Sequence, residues 1–434
     1  MIHAEGLNLF QTPMSDVSVI SRHDTDYFPS DAIPNNSKET IQIEVVNTSM
    51  EDFIDLSSTE IHMSLQIVDK ADGTKLGSFL KDAKYGICNN FGHAIFKQIT
   101  LQEGDVEMNN STGTYPYQVD FENSLIYDDR DVEGRPRLEG FIPDTASDAS
   151  MAKLYANNST NAGLTARSAL FDDGKIVKVI IKPHLGPLAQ KRFLLPNTRV
   201  IFKLIPNSDD FLLTYDATAT TKTLGVYIKH LKLRVRTVKL DRALSAEIHR
   251  NLQKGHAVYP TPTPIMSTSL IENGISNWEK DNIFGGKLPK LFMFAIVENA
   301  AYNGSHTKNP FQYKNLKIGE VQVKLDGFPI VPPINTNFTT GEIQEAYVQI
   351  LKATNDRSCL LNANTWGVKN IWVFDLTPKG SHSISEYYPA RAGNLRLELK
   401  FDAAVTGGPY TIIFYGLVDS TSEIDSQNNV VKNW

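Results

Sequence analysis

Apolar and polar positions alternate with a period of two along much of this chain, the signature of strands that bury one face. Ile41, Ile43 and Val45 alternate with Gln42, Glu44 and Val46, which predicts a half-buried strand with a defect at its end. Ile61, Met63, Leu65 and Ile67 share one face of a second strand, and Asp72-Gly73 supplies a tight turn after it. Further strands are predicted at 176–181, 200–204 and 231–240. In the last of these Leu231, Leu233 and Val235 oppose Lys232, Arg234 and Arg236, and then the apolar parity moves to Val238 and Leu240. Such a change of face requires a bulge or a new packing partner. The second half repeats the texture. Residues 291–297 are continuously apolar, and Val321, Val323 and Leu325 alternate up to a turn at Asp326-Gly327. Trp372, Phe374 and Leu376 alternate with Val373 and Asp375, and Leu395, Leu397, Leu399 and Phe401 with charged residues. Pro409 leads into the apolar run 411–415.

Helical periodicity is rarer. Ile87, Phe91 and Ile95 recur at intervals of four, which predicts a short helix within 87–99, although Gly92 costs up to ~1 kcal/mol there. His93 on that segment reads as a structural histidine, since no second His or carboxylate stands at a useful offset. Leu244, Ile248 and Leu252, with Asp241 before and Gly255 after, predict an amphipathic helix over 245–253. The alternating prolines of 259–264 favour extended polyproline geometry and predict a stiff interdomain connector rather than a central strand. Residues 125–170 are polar and predict a long decorated loop with a short helix near Met151 to Tyr155.

With no alternation of strands and helices, this pattern predicts an all-β chain of two adjacent antiparallel sandwiches, jelly rolls among the candidates. The expected segments are an N-terminal arm (1–37, punctuated by Pro13, Pro29 and Pro34), a first sandwich (38–240) with an insertion around 128–165, and a helical connector (241–254). A second sandwich (255–424) and a C-terminal tail (425–434) complete the chain.

Composition narrows function by exclusion. The 434 residues are 41% hydrophobic and 21% charged, which suits a folded body long enough for two domains. A formal net charge of −6 argues against a surface that grips nucleic acid as a whole, leaving only local basic patches. Two distant cysteines, Cys88 and Cys359, make neither a disulfide framework nor a thiolate metal site and are expected to be buried free thiols. No stretch approaches the ~18 to 20 apolar residues of a membrane span and no leader pattern opens the chain, so the expectation is a soluble, unsecreted protein. Nucleotide-binding glycine loops, paired-His helical metal motifs and nucleophile elbows are missing from the sequence. His230, His249, His256 and His382 read as structural or surface histidines. Asp128, Asp129, Asp131 and Glu133 lack the spacing of a calcium loop, and Asp172-Asp173-Gly174 and Asp209-Asp210 read as turns.

Several blocks nevertheless form a specific set. They include 53–56, Asn89-Asn90-Phe91-Gly92-His93-Ala94-Ile95-Phe96 and Thr114-Tyr115-Pro116-Tyr117 in the first half. In the second they are Leu288-Pro289-Lys290, 302–305 with Lys308-Asn309-Pro310-Phe311, 323–327, 373–378 and 393–399. In these blocks, spread from about residue 50 to about 430, the chain resembles the double jelly-roll major capsid proteins of double-stranded DNA viruses, of the adintovirus and Maverick or Polinton group.

The resemblance implies a double jelly roll with short helices and a long first-half insertion, assembling as a pseudo-hexagonal homotrimer that tiles an icosahedral shell in the virion. It assigns no catalytic residue, no cofactor and no metal. The implied partners are copies of the chain, neighbouring capsomers and minor capsid or penton proteins; direct DNA contact and membrane contact stay open. Within it, Tyr115-Pro116-Tyr117 and Asn309-Pro310-Phe311 are candidate turns or packing contacts. Phe10, Tyr27 and Phe28, with Val17, Val19 and Ile20, are apolar payload on an arm expected to dock on another surface, and Trp434 is a candidate anchor in the tail. Loss of residues 1–35 is then expected to spare trimers and impair shells. The alternatives are a minor capsid or vertex protein, and a carbohydrate-binding or hydrolytic sandwich.

Overall fold

A computed structural model of the chain describes residues 18–33, 38–46, 49, 51–70, 85–109, 112–145, 147, 160–215, 223–380 and 387–433. Phe10, Val17, Pro13, Pro34, the turn at Asp72-Gly73, the helix expected near Met151 to Tyr155, His382 and Trp434 lie outside the described residues.

The first half runs β1 (Val19–Tyr27), β2 (Ile41–Val45), β3 (Asp52–Asp69), β4 (Tyr85–Ile87), β5 (Phe96–Glu103), β6 (Val106–Glu107), β7 (Val177–Ile181), β8 (Val200–Pro206), β9 (Leu213–Tyr215) and β10 (Leu224–Leu240). The second runs β11 (Ala257–Ile271), β12 (Asn277–Lys280), β13 (Lys287–Leu288), β14 (Leu291–Glu298), β15 (Ile318–Leu325), β16 (Phe328–Pro329), β17 (Ile334–Asn335), β18 (Ile371–Asp375), β19 (Arg391–Ala392), β20 (Leu395–Phe401), β21 (Tyr410–Ile424) and β22 (Val430–Asn433).

These strands form two sandwiches of like plan. In the first, a sheet ordered β1-β10-β3-β7 faces one ordered β2-β8-β5-β6, with a β4-β9 ribbon beside them. In the second, β11-β21-β14-β18 faces β12-β20-β15-β16, with a β13-β19 ribbon; β22 adds to β21 and β17 to β15. The chain is an all-β double jelly roll with short helices, as its sequence pattern and the resemblance imply.

The alternating runs occupy the expected faces. Ile41, Ile43, Val45, Ile61, Met63, Leu65 and Ile67 are buried in the first sandwich, and Leu395, Leu397, Leu399 and Phe401 in the second. The parity change in β10 has its cause in register. Arg234 pairs with Glu60 but Arg236 pairs with Asp55, so extra β3 residues bulge out where the buried face moves from Val235 to Val238.

Four expectations are corrected. Residues 19–27 do not belong to a free arm, because β1 is an edge strand paired with β10, where Asp24 and Asp26 hold Arg236 and Arg234. Residues 430–433 of the tail are likewise a strand. The 87–99 segment holds only a four-residue helix, α1 (Phe91–Ala94), between two strands. Its Gly92 is required by packing, since a Cβ there would lie 2.2 Å from the Glu139 carbonyl oxygen. The prolines of 259–264 sit inside β11, not in a connector. Pro260, Pro262 and Pro264 share one parity, so all three missing N–H groups fall on the side of this edge strand away from β21. The helix expected over 245–253 is observed at Arg242–Leu252, capped by the Asp241 side chain, which accepts from the Ala243 N–H.

Candidate functional site

The two sandwiches meet on a helix that the hydrophobic pattern does not reveal. α2 (Tyr115–Ile126) begins with Pro116 in its first turn, where a missing N–H costs nothing. It is buried on nearly every side, so it lacks the one-sided stripe by which helices are read from sequence. One side packs on the first sandwich. The other carries Asp120, Phe121, Glu122 and Ser124 to the second: Tyr313 Oη donates to Asp120 Oδ2 at 2.6 Å, Lys369 Nζ to Asp120 Oδ1 at 3.0 Å and to Ser124 Oγ at 2.8 Å, and Tyr415 Oη to Glu122 Oε1 at 3.0 Å.

This seam explains why β14 is apolar at successive positions. Phe292 and Phe294 face inward and stack on Phe374, Phe414 and Trp372, whereas Leu291 and Met293 face outward toward the first sandwich. With Tyr415, Leu417, Pro262 and Pro264 they form one wall of a cavity of about 400 Å³ whose other wall is Glu122, Leu125 and the segment 182–189. The helix Gly186–Ala189 touches the free edge of β11 so closely that a Cβ on Gly186 would lie 2.5 Å from the Pro262 carbonyl oxygen.

Two of the residue sets singled out from sequence come together here. Tyr117 packs edge-on to Phe311, with ring centroids 5.7 Å apart, and also against Phe211 and Tyr302. Tyr115 and Pro116 belong to the first turn of α2 rather than to a loop turn. Asn309 Nδ2 donates to Asp144 Oδ2 at 3.3 Å, and Pro310 and Phe311 are buried beside it. Asp144 also accepts from Arg167 Nη2 at 2.6 Å. Arg167 is 1% exposed and donates in addition to the Ile87 and Ile142 carbonyls. It comes from the helix Ala162–Ala169 at the end of the polar stretch 125–170, which also contains α3 (Arg135–Leu138) among its described residues.

At the first sandwich's end of the cavity lies a cluster that spacing could not disclose. His93 is fully buried; its Nε2 is 3.3 Å from Glu139 Oε2 and its Nδ1 is 3.0 Å from Tyr115 Oη. His184 Nδ1 is 2.5 Å from Glu122 Oε2, and the two imidazoles meet edge to face at 5.2 Å. Burial holds His93 below the ordinary histidine range despite its Glu139 partner. Burial alone would also lower His184, but the Glu122 bond and charge raise it. Desolvation would raise the Glu139 carboxyl, yet the bond to His93 and the charges of both histidines bring it down to about 2. His93 therefore does have acidic and imidazole partners, supplied by residues 46 and 91 positions further along.

Other expected chemistry resolves into surface and turn contacts. Asp128 accepts from its own loop's N–H groups and from Arg130, and Asp209, read as a turn residue, is a buried partner of Lys38 and Lys70. Cys88 and Cys359 are free and buried, and burial pushes the Cys88 thiol up to about 12. Tyr27 Oη donates to the Val46 carbonyl, while Phe28 is 58% exposed against the edge of His230. No described helix is long and apolar enough to cross a membrane.

β22 makes a further tie between the halves. Lys432 Nζ donates to the Met108 carbonyl at 2.6 Å beside the β5-β6 hairpin. There burial raises the Glu103 carboxyl from 4.5 to about 7, partly offset by the Lys432 charge, and Glu103 Oε2 has no hydrogen-bond partner among the described residues. A carboxyl whose folded value lies above its unfolded one favours the folded state while protonated, and that advantage is lost as pH rises from about 4.5 to about 7. Glu103→Gln is thus expected to be more stable than the parent at pH 8, on the order of 2–3 kcal/mol, and nearly equal to it at pH 4.5. Urea titrations at the two pH values check this; equal midpoint differences at both would contradict the assignment.

No family model matches the chain. It is 22% identical over 414 residues to the uncharacterized protein F54H12.2 of Caenorhabditis elegans, covering 91% of this chain and 95% of that one. Its fold is similar to a chain of the Sputnik virophage structure determined by cryo-electron microscopy, with a TM-score of 0.66 at 10% identity, over 100% of this chain and 92% of that chain. It is also similar to a chain of the PBCV-1 virus capsid (TM-score 0.59, 10% identity, covering 98% and 99%) and to the mavirus major capsid protein (TM-score 0.52, 12% identity, covering 100% and 94%). The chain thus has a double jelly-roll fold, which it shares with these capsid chains.

Proposed function

We propose that this chain is the major capsid protein of a double-stranded DNA virus of the adintovirus and Maverick or Polinton group, forming pseudo-hexagonal homotrimers that tile an icosahedral shell. The observation that carries the reading is the likeness of fold, over the whole of this chain, to the Sputnik chain and to the mavirus major capsid protein. The seam adds a physical argument. Three copies of a two-roll subunit present six similar bodies around one three-fold axis, and a tile of that kind needs the two rolls held at a fixed angle. Asp120, Glu122 and Asp144 fasten the rolls through one buried and two partly buried hydrogen bonds, so the subunit can act as a rigid unit.

Partners on this reading are other copies of the chain, neighbouring capsomers, and minor capsid or penton proteins at the shell's vertices. Residues outside the seam are the candidates for those contacts. Phe28, Ile20 and Val46 are large apolar side chains left more than half exposed near β1, and Phe328 is 76% exposed on the β15-β16 hairpin. Native mass spectrometry of the purified protein tests the assembly unit: a species at three times the 48.4 kDa chain mass is expected, and a monomer at micromolar concentration would contradict it.

The arm test has to respect β1. Removing residues 1–35 would take away an edge strand and its ion pairs, so a folding defect would mask any assembly defect. Removing 1–17 leaves β1 intact. That deletion is expected to yield trimers at parental levels but to lower the yield of closed shells at least several-fold, counted by negative-stain electron microscopy; shells at parental yield would remove the arm from assembly.

A further inference from the structure

We propose that His93, Glu139 and His184 form a binding site for a transition-metal dication of the Zn²⁺ class, placed where the inter-roll cavity meets the first sandwich. The inference stands apart from the capsid reading, since it rests on local geometry alone. The three donors come from α1, from the residue that follows α3, and from the loop after β7, and one ligand atom of each lies within 4.8 Å of the other two. Zinc bonds of about 2.0–2.1 Å place neighbouring ligands of a tetrahedron roughly 3.3–3.5 Å apart. The His93 Nε2 to Glu139 Oε2 separation of 3.3 Å already has that length.

Each donor is also held by a second group through its other polar atom, the arrangement that orients metal ligands. His93 Nδ1 meets Tyr115 Oη and His184 Nδ1 meets Glu122 Oε2, which leaves Nε2 of both rings for a metal. Glu139 Oε1 accepts from Arg135 Nε at 3.2 Å and from the Lys182 N–H at 3.1 Å, which leaves Oε2. His93 is fully buried, whereas Glu139 and His184 line the cavity, which gives an ion a path for entry. Two imidazoles and one carboxylate favour Zn²⁺ or Co²⁺ over Mg²⁺ and Ca²⁺, which take oxygen ligands. A bound ion would tie α1, the α3 turn and the 182–184 loop together beneath the seam.

The test uses full-length protein stripped with a chelator and titrated with Co²⁺ and Zn²⁺. One equivalent of Co²⁺ with the intense visible absorption of four-coordinate cobalt is expected, together with a rise in melting temperature with Zn²⁺ that Mg²⁺ does not reproduce. His184→Gln is expected to weaken Co²⁺ binding at least 100-fold. Should that variant fail to fold, protection of His184 by Zn²⁺ against diethyl pyrocarbonate, mapped by mass spectrometry on the unaltered protein, decides the matter. No stoichiometric uptake, unchanged affinity in folded His184→Gln, or equal modification of His184 with and without Zn²⁺ would each overturn the site and leave the cluster a hydrogen-bonded brace.

Discussion

Asp120→Ala is expected to lower stability by about 3 kcal/mol, the cost of leaving a partly buried ammonium and a buried hydroxyl without their shared acceptor. The carboxylate is 0% exposed and is the shared acceptor of the Lys369 ammonium and the Tyr313 hydroxyl. Both donors belong to the second sandwich, so the substitution strikes the joint between rolls rather than either core. Lys369 retains Ser124 Oγ, but a neutral acceptor does not replace the charge. The companion Lys369→Met removes the stranded ammonium, and a buried ion pair exchanged for apolar groups is often close to neutral. The double variant should therefore recover more than half of the loss, giving a coupling energy of at least about 1.5 kcal/mol in a double-mutant cycle read by urea denaturation. Strict additivity would show that Asp120 does not act through Lys369.

Arg167→Met should cost a similar amount, about 3–5 kcal/mol, through a different lesion. The guanidinium serves the Ile87 carbonyl, the Ile142 carbonyl and Asp144 at once, and methionine fills its volume while satisfying none of them. Asp144 keeps Asn161 and Asn309 as neutral donors, so its charge stays buried without a cation among these partners. The damage should be local first: amide exchange in the helix Ala162–Ala169 is expected to accelerate about 100-fold or more, while amides of β14 and β21 in the second core change far less. Arg167→Lys keeps the charge but not the three-way fork and should fall between. Uniform acceleration across both sandwiches would contradict the local reading and make Arg167 a global support.

What the sequence disclosed and what it withheld follow from the range of the interactions involved. The faces of β3, β20 and the helix Arg242–Leu252 were legible because one side of each meets solvent, so neighbours in sequence report burial. Even the bulge opposite β10 left a trace, as the change of parity at Val238. α2 left none, because both of its faces are covered and a helix without a polar side has no period; only Pro116 after Thr114 marked its start. The prolines in β11 misled for the opposite reason. A local rule excludes proline from paired strands, but it does not apply at an edge where every proline shares the unpaired side. The partners of His93 were invisible at any window size, since Glu139 and His184 reach it only through tertiary packing. Tyr117 and Phe311 lie in two separate blocks of the sequence that each mark a candidate contact, and the fold joins them across the seam.

The most direct measurement is cryo-electron microscopy of the protein expressed with its full sequence and purified without denaturation. Closed icosahedral particles whose faces are tiled by three-fold capsomers, each with six jelly rolls and with the α2 seam inside every subunit, are the predicted result. Particles built from single-roll units or pentamers alone, or a protein that remains dispersed under conditions where its trimer should assemble, would contradict the proposal that this chain is the principal tile of a shell.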